Sequence, residues 1–280
     1  MEFRTKVDIP QPAFSIAPCE EMLFVGSCFA DNIGRRFRDE MFRATVNPFG
    51  VMYNPASILH TVERTDASPR VAVFTLGTNH VYILKETGEI VDNCQKRPQR
   101  LFLERELSVE ECVDFLLRAV DILRGRRPDV RVIVTVSPIR YAKYGYHGSQ
   151  LSKATLLLAA DRLTREPSLA DAQGGGAVVT YFPAYEIMND ELRDYRFYAD
   201  DMLHPSPVAV EYIWQRMVET FFSDGAKAFL REWAPLKKGF AHRPLNPDSE
   251  EYKAFRAKLE ADGRRLRLRY PAMPLPECDR

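Results

Sequence analysis

The stretch MLFVGSCFADNIGRRF, residues 22–37, sets an apolar run against an amphipathic one across a Gly-Ser pair. Met22 to Val25 read as a short buried strand, and Phe29, Ile33 and Phe37 recur every four residues, the spacing of one helical face. The turn between them carries Ser27, and a serine there has two readings. As a cap it accepts a bond from one of the first helical N–H groups, which have no carbonyl one turn back. As a nucleophile it uses the strand-to-helix turn, which lifts a hydroxyl out of the core and surrounds it with backbone donors. The stretch by itself leaves both open.

Working outward, apolar and β-branched runs recur at Met22–Val25, Val71–Leu76, Val130–Val136 and Ala177–Phe182, with helical patterns at Val109–Leu123 and Leu151–Leu163 between them. This alternation predicts an α/β fold with a mostly parallel sheet covered by helices on both faces. HVYILKETGEIVDN (80–93) differs, because two alternating segments flank a glycine turn, which predicts a local hairpin. GGGAVVTYF (174–182) lacks the Lys-Ser/Thr and following helix of a phosphate loop and reads as a flexible connection. In HPSPVAVEYIWQRMVETFF (204–222), Ser206 is a suitable N-cap and Pro207 suits the first helical position. Ala209, Ile213, Met217 and Phe221 form the inner face of that helix. Residues 1–234 read as the main domain and 235–280 as a partly helical extension packed on it, with a polar helix over Ser249–Leu268.

Lys plus Arg and Asp plus Glu both number 39, so no net field points to nucleic acid or an anionic membrane surface. The N-terminal residues lack the basic-then-apolar order of a secretory signal, and no run of 18 apolar residues exists to span a bilayer. Five scattered cysteines show no C-x-x-C spacing, which predicts free thiols in a reducing cytoplasm. Neither His60, His80 nor His242 makes a metal pattern with a carboxylate. Neither a metal nor an organic cofactor is expected.

YADDMLHPS (198–206) reopens the question of Ser27. Asp201 and His204 are three apart, so one turn of chain places both side chains on one side. Nucleophilic hydrolysis uses such a pair: the carboxylate fixes the imidazole tautomer, and the free ring nitrogen takes the serine proton. A parallel α/β sheet gathers the C-terminal ends of its strands at one edge. Ser27, Gly50, residues 77–79 and 201–204 can meet there although far apart in sequence.

GSCFA at 26–30 and several longer blocks resemble the GSCFA family, a branch of the SGNH (GDSL-type) hydrolases. The blocks are FRTKVDIP (3–10), NPFGVMYNPASI (47–58), FTLGT (74–78), VDNCQK (91–96), VTVSPIR (134–140) and YFPAYEIMNDELRDYRFYADDMLHPS (181–206). Together the similarity covers roughly residues 1–230. The resemblance implies a three-layer α/β/α domain with about five strands in the flavodoxin-like order. It also implies Ser27 as nucleophile, His204 as base and Asp201 as its orienting partner. The oxyanion hole would use the Ser27 N–H, the Gly50 N–H and an amide side chain, from Asn79 or Asn93. Family sequences carry LGTAW where this chain has LGTNH, which keeps Asn93 in contention with Asn79.

Ser137, Arg140, His147 and Lys153 follow the third apolar run, at the edge where substrates bind, and are candidate substrate contacts; Glu186 is another, supporting the site from behind. Cys28 reads as a buried thiol. The implied activity is hydrolysis of an acyl ester, such as an O-acetyl group on a carbohydrate, with a direct or water-bridged Ser27–His204 contact. Acyl transfer with the same triad and a catalytically silent glycan- or protein-binding module are the alternatives.

Overall fold

The computed structural model describes residues 5–92, 97–170 and 176–274. Strand β1 (Glu21–Gly26) runs into helix α1 (Cys28–Asp39), and Ser27 caps it, its Oγ accepting the Phe29 N–H at 3.2 Å. Next come β2 (Arg43–Val46), α2 (Pro55–Arg64) and β3 (Val71–Leu76). The chain then makes β4 (His80–Leu84), β5 (Ile90–Val91) and β6 (Phe102–Glu106). It continues through α3 (Val109–Arg126), β7 (Arg131–Val136), α4 (Gly145–Thr164) and β8 (Val179–Tyr181). A short turn α5 (Ala184–Glu186) and a π-helical turn at Ile187–Glu191 precede α6 (Pro207–Phe221), α7 (Asp224–Phe240) and α8 (Glu250–Arg269).

The main sheet has the order β2-β1-β3-β7-β8, and every pairing in it is parallel. This is the flavodoxin-like order, whose switch point lies between β1 and β3. Side-chain alternation makes the layers. Leu23 and Val25 pack with Leu59 of α2, Leu116 of α3 and Leu156 of α4, whereas Met22 and Phe24 pack with Phe37 of α1 and Ile213 of α6. β3 and β7 are buried along their whole length, as expected for strands covered on both faces. The second sheet, β5-β4-β6, is antiparallel, and β4–β5 is the hairpin expected at 80–93.

Two strands were not visible in the hydrophobic pattern. β2 is four residues long and alternates exposed with half-buried positions on the sheet edge. β6 (FLERE) carries three charges, and only its first residue is buried. The strand expected over Ala177–Phe182 is confined to Val179–Tyr181. α7 passes through Pro235, where the extension was expected to start, and Trp233, Leu236, Leu259 and Leu266 join α7 to α8. This pair is tied to the end of α1 by Trp233 Nε1 donating to the Asp39 carbonyl at 3.0 Å and Lys237 Nζ to Glu40 at 2.9 Å. Among the described residues, no helix is long and apolar enough to cross a membrane.

Gly26 positions the turn that carries Ser27. It adopts φ +143°, and a Cβ there would stand 2.2 Å from the Thr75 carbonyl oxygen on β3. The Gly26→Ala variant is therefore expected to lose about 3 kcal/mol or more of stability, through backbone strain plus overpacking against a central strand. An unaltered thermal unfolding midpoint would show that β3 yields freely.

Candidate functional site

Where β1, β3 and β7 end, a cleft of about 270 Å³ opens between Ser27, Tyr53, Gly77, Arg140, Tyr141 and His204. Ser27 reaches it from the first turn of α1 and is 1% exposed. Its Oγ lies 2.5 Å from Ser137 Oγ and 3.1 Å from Thr75 Oγ1. The cap and the placement of the hydroxyl at the cleft thus come from one turn: the geometry that satisfies the Phe29 N–H also holds Oγ among two other hydroxyls.

Asp201 and His204 stand opposite, on the loop before α6. Asp201 Oδ2 is 2.6 Å from His204 Nδ1, while Oδ1 accepts the N–H groups of Leu203 at 2.9 Å and His204 at 3.0 Å. Those N–H bonds, with the His204 ring, hold the Asp201 carboxyl down at about 2, so it is ionised at neutral pH. His204 lines the cleft with Nδ1 committed to Asp201, which leaves Nε2 as the nitrogen available to a reacting group. No direct hydrogen bond joins Ser27 to His204; the Ser27 hydroxyl is bonded to Ser137 and Thr75.

Of the expected oxyanion donors, Gly50 and Asn79 lie away from the cleft lining. Gly50, at φ +95°, closes the Asn47–Gly50 turn by donating its N–H to the Asn47 carbonyl at 2.9 Å, and it is exposed outside the cleft. The residue of that block that braces the Ser27 turn is Asn47, whose Oδ1 accepts the Gly26 N–H at 2.9 Å while Nδ2 donates to Asp31 at 2.6 Å. Asn79 Nδ2 donates to the Leu107 carbonyl at 2.8 Å, so its amide joins β4 to the start of α3 and does not face the cleft. Asn93 lies outside the described residues. The Ser27 N–H is also engaged, donating to Thr75 Oγ1 at 3.0 Å and to the Thr75 carbonyl at 3.1 Å. The N–H that opens α1 at the cleft belongs to Cys28, which has no carbonyl one turn back. Cys28 is half-buried and lines the cleft instead of being the buried thiol expected from the sequence, though partial burial pushes its thiol above the ordinary range.

Of the other candidates, Arg140 lines the cleft and Ser137 is buried against Ser27. His147 is exposed on α4 and does not line the cleft. Glu186 is bonded to the Tyr181 hydroxyl at 2.8 and 2.9 Å, away from the cleft lining. Lys153 is 2% exposed and lies beneath the site, where Nζ donates to the Gly77 carbonyl at 2.7 Å and the Ser137 carbonyl at 2.9 Å. It ties together the segments leaving β3 and β7. Thr75 was missed in the sequence; its signal is a hydroxyl within the otherwise apolar run VAVFTL. Among the described residues, no group of three or more His, Cys, Asp or Glu is placed to hold a metal ion.

Burial pulls Lys153 down from 10.5 to about 7. A neutral amine keeps two N–H donors, enough for both carbonyls. Because the unfolded chain binds the extra proton between these values, this residue's contribution to stability grows as pH rises from about 7 to 10.5 and is lost on acidification. Lys153→Met is therefore expected to be more destabilising, relative to wild type, at pH 9 than at pH 6, by about 2–3 kcal/mol. Equal penalties at the two pH values, read by urea unfolding, would show that the lysine stays charged throughout.

The sequence matches the model of the GSCFA family over residues 21–71 and 65–217, and that of the GSCFA domain protein C-terminal domain over 233–277. No curated protein matches the chain. Similar solved structures include an acetyl esterase variant with an acetate ion (13% identity, TM-score 0.41, covering 78% of this chain and 98% of that one). Another is a carbohydrate esterase family 3 protein from Talaromyces cellulolyticus (11% identity, TM-score 0.40, covering 78% and 98%). With both family models matched along a parallel α/β chain whose GSCFA segment forms the strand-to-helix turn at the cleft, this protein belongs to the GSCFA family.

Proposed function

We propose that the chain is a serine hydrolase of SGNH type that cleaves an acyl ester, such as an O-acetyl group on a carbohydrate, through an acyl-enzyme on Ser27. The observation that carries this reading is one cleft holding the Ser27 hydroxyl on one wall and the Asp201-oriented His204 ring on another. Tyr53 and Tyr141, 6.2 Å apart between ring centres, give that cleft aromatic walls suited to a sugar ring or an acyl chain.

For attack, the Ser27 hydroxyl turns from Ser137 toward His204. Its oxygen bonds the ester carbonyl carbon as its proton passes to the ring. Collapse of the tetrahedral intermediate breaks the carbon–alkoxy bond, and the imidazolium returns the proton to the departing alcohol. Water then repeats the sequence on the acyl-enzyme and releases the acid. The Cys28 N–H and the N-terminal end of the α1 dipole supply positive potential to the oxyanion. If a sugar hydroxyl replaces water, the same residues perform acyl transfer. A binding module on the same fold draws on a different observation, the commitment of the Asn79 amide to Leu107.

Covalent labelling with a fluorophosphonate, followed by peptide mapping, tests the reading: the adduct is expected on Ser27 and absent from Ser27→Ala. Ser27→Ala and His204→Ala are each expected to lower turnover of a short acyl ester more than about 10³-fold, with a double variant no worse than either, because the two act as one unit. Asp201→Asn is expected to lose on the order of 10³-fold by releasing the ring tautomer. Full activity in Ser27→Ala would end the mechanism. An unlabelled wild type that turns over no ester would favour the binding module.

A further inference from the structure

The cleft carries a cation that the chemistry at Ser27 does not use. Arg140 follows β7, and its backbone N–H donates to the Leu203 carbonyl at 3.0 Å while Nη1 donates to the Met202 carbonyl at 3.0 Å. The guanidinium lies 4.2 Å from the ring centre of Tyr146 and 5.6 Å from those of Tyr195 and Tyr198. Tyr146 and Tyr195 remain exposed, so these rings hold the group without closing it off. Among the described residues, no carboxylate pairs with Arg140 and no Asp or Glu lines the cleft. The other lysine or arginine in the lining, Lys143, is neutralised by Glu104 at 3.0 Å. Asp201 spends both oxygens on His204 and Leu203.

A guanidinium has five N–H donors in a planar fork, and Arg140 spends one on Met202. Aromatic contacts and the carbonyl bond already restrict its side chain, so little further entropy is lost when a ligand is bound. We propose that the cleft selects an ester bearing a carboxylate near the scissile bond, and that Arg140 is the residue that reads this carboxylate. The proposal rests on the serine-hydrolase reading and names the substrate class for it. The carboxylate can sit on the acyl side, as in a hemisuccinate, or on the alcohol side, as in an O-acetylated uronic acid. Both present the same planar anion to the fork.

The test compares kcat/KM on the full chain for two matched pairs: 4-nitrophenyl hemisuccinate against 4-nitrophenyl butyrate, and O-acetylated glucuronic acid against O-acetylated glucose. Wild type is expected to prefer the anionic member of one pair by about tenfold, a typical contribution of one charge-assisted contact. The pair that shows the preference identifies the side that carries the charge. Arg140→Gln is expected to abolish the preference through KM for the anionic ester, and Arg140→Lys to restore part of it. An equal fall in kcat for both members of each pair in Arg140→Gln would overturn the proposal, because Arg140 would then serve only to position the loop of His204. Absence of any preference in wild type would overturn it as well. If wild type turns over none of the four esters and takes no fluorophosphonate, the hydrolase reading has failed separately. Calorimetric titration with succinate and glucuronate then decides: binding lost in Arg140→Gln retains the anion site, and no binding to wild type removes it.

Discussion

Backbone of β1 and β3 approaches so closely at Gly26 and Thr75 that a single added carbon would stand 2.2 Å from the Thr75 oxygen. Everything at the site is referred to that contact. Thr75 receives the Ser27 N–H through both its carbonyl and its hydroxyl, and the hydroxyl also meets Ser27 Oγ. Asn47 secures the other side of the turn by accepting the Gly26 N–H. The strand therefore ends at one defined point, and α1 begins there with its dipole facing the cleft.

The two halves of the site are built differently. On the serine side the groups are buried and mutually satisfied: the hydroxyl of Ser27, just beyond β1, meets those of Thr75 on β3 and Ser137, just beyond β7, and Lys153 joins the Gly77 and Ser137 carbonyls below them. A fully satisfied buried network has few alternative arrangements, because any displaced group is left unpaired in low dielectric. On the histidine side the pair stands on an exposed loop, with side chains 41% and 46% accessible. Its order comes from local backbone bonds to Asp201 and from the attachment of that loop to Arg140. A buried serine hydroxyl thus faces a solvent-exposed histidine across the cleft.

Misreadings of the sequence fall on residues whose hydrogen-bond partners the spacing does not reveal. The family resemblance implies Gly50 and Asn79 as oxyanion donors, yet each is committed to a carbonyl, of Asn47 and Leu107 respectively. Spacing shows which side chains can reach the sheet edge. It does not show which local bond claims them first. Lys153 reads from the sequence as a substrate contact at the sheet edge, and only the packing of α4 against β7 reveals that its amine is enclosed. β2 and β6 escaped notice because short, half-exposed strands carry little periodic apolar signal.

Local chemistry in the sequence determined the elements and their layering: the buried runs of β1, β3 and β7, the Ser27 and Ser206 caps, and the hairpin at 80–93 are written in residue type and period. The Asp201–His204 pair belongs here too, since its partners are three residues apart and bond within one turn of chain. Tertiary structure alone decided which hydroxyls surround Ser27, which amides are spent on carbonyls, and that, among the described residues, Arg140 stands in the cleft without a carboxylate partner. Those outcomes depend on contacts between segments dozens of residues apart. Their donors and acceptors are assigned only when the close passage of β1 and β3 sets the distances.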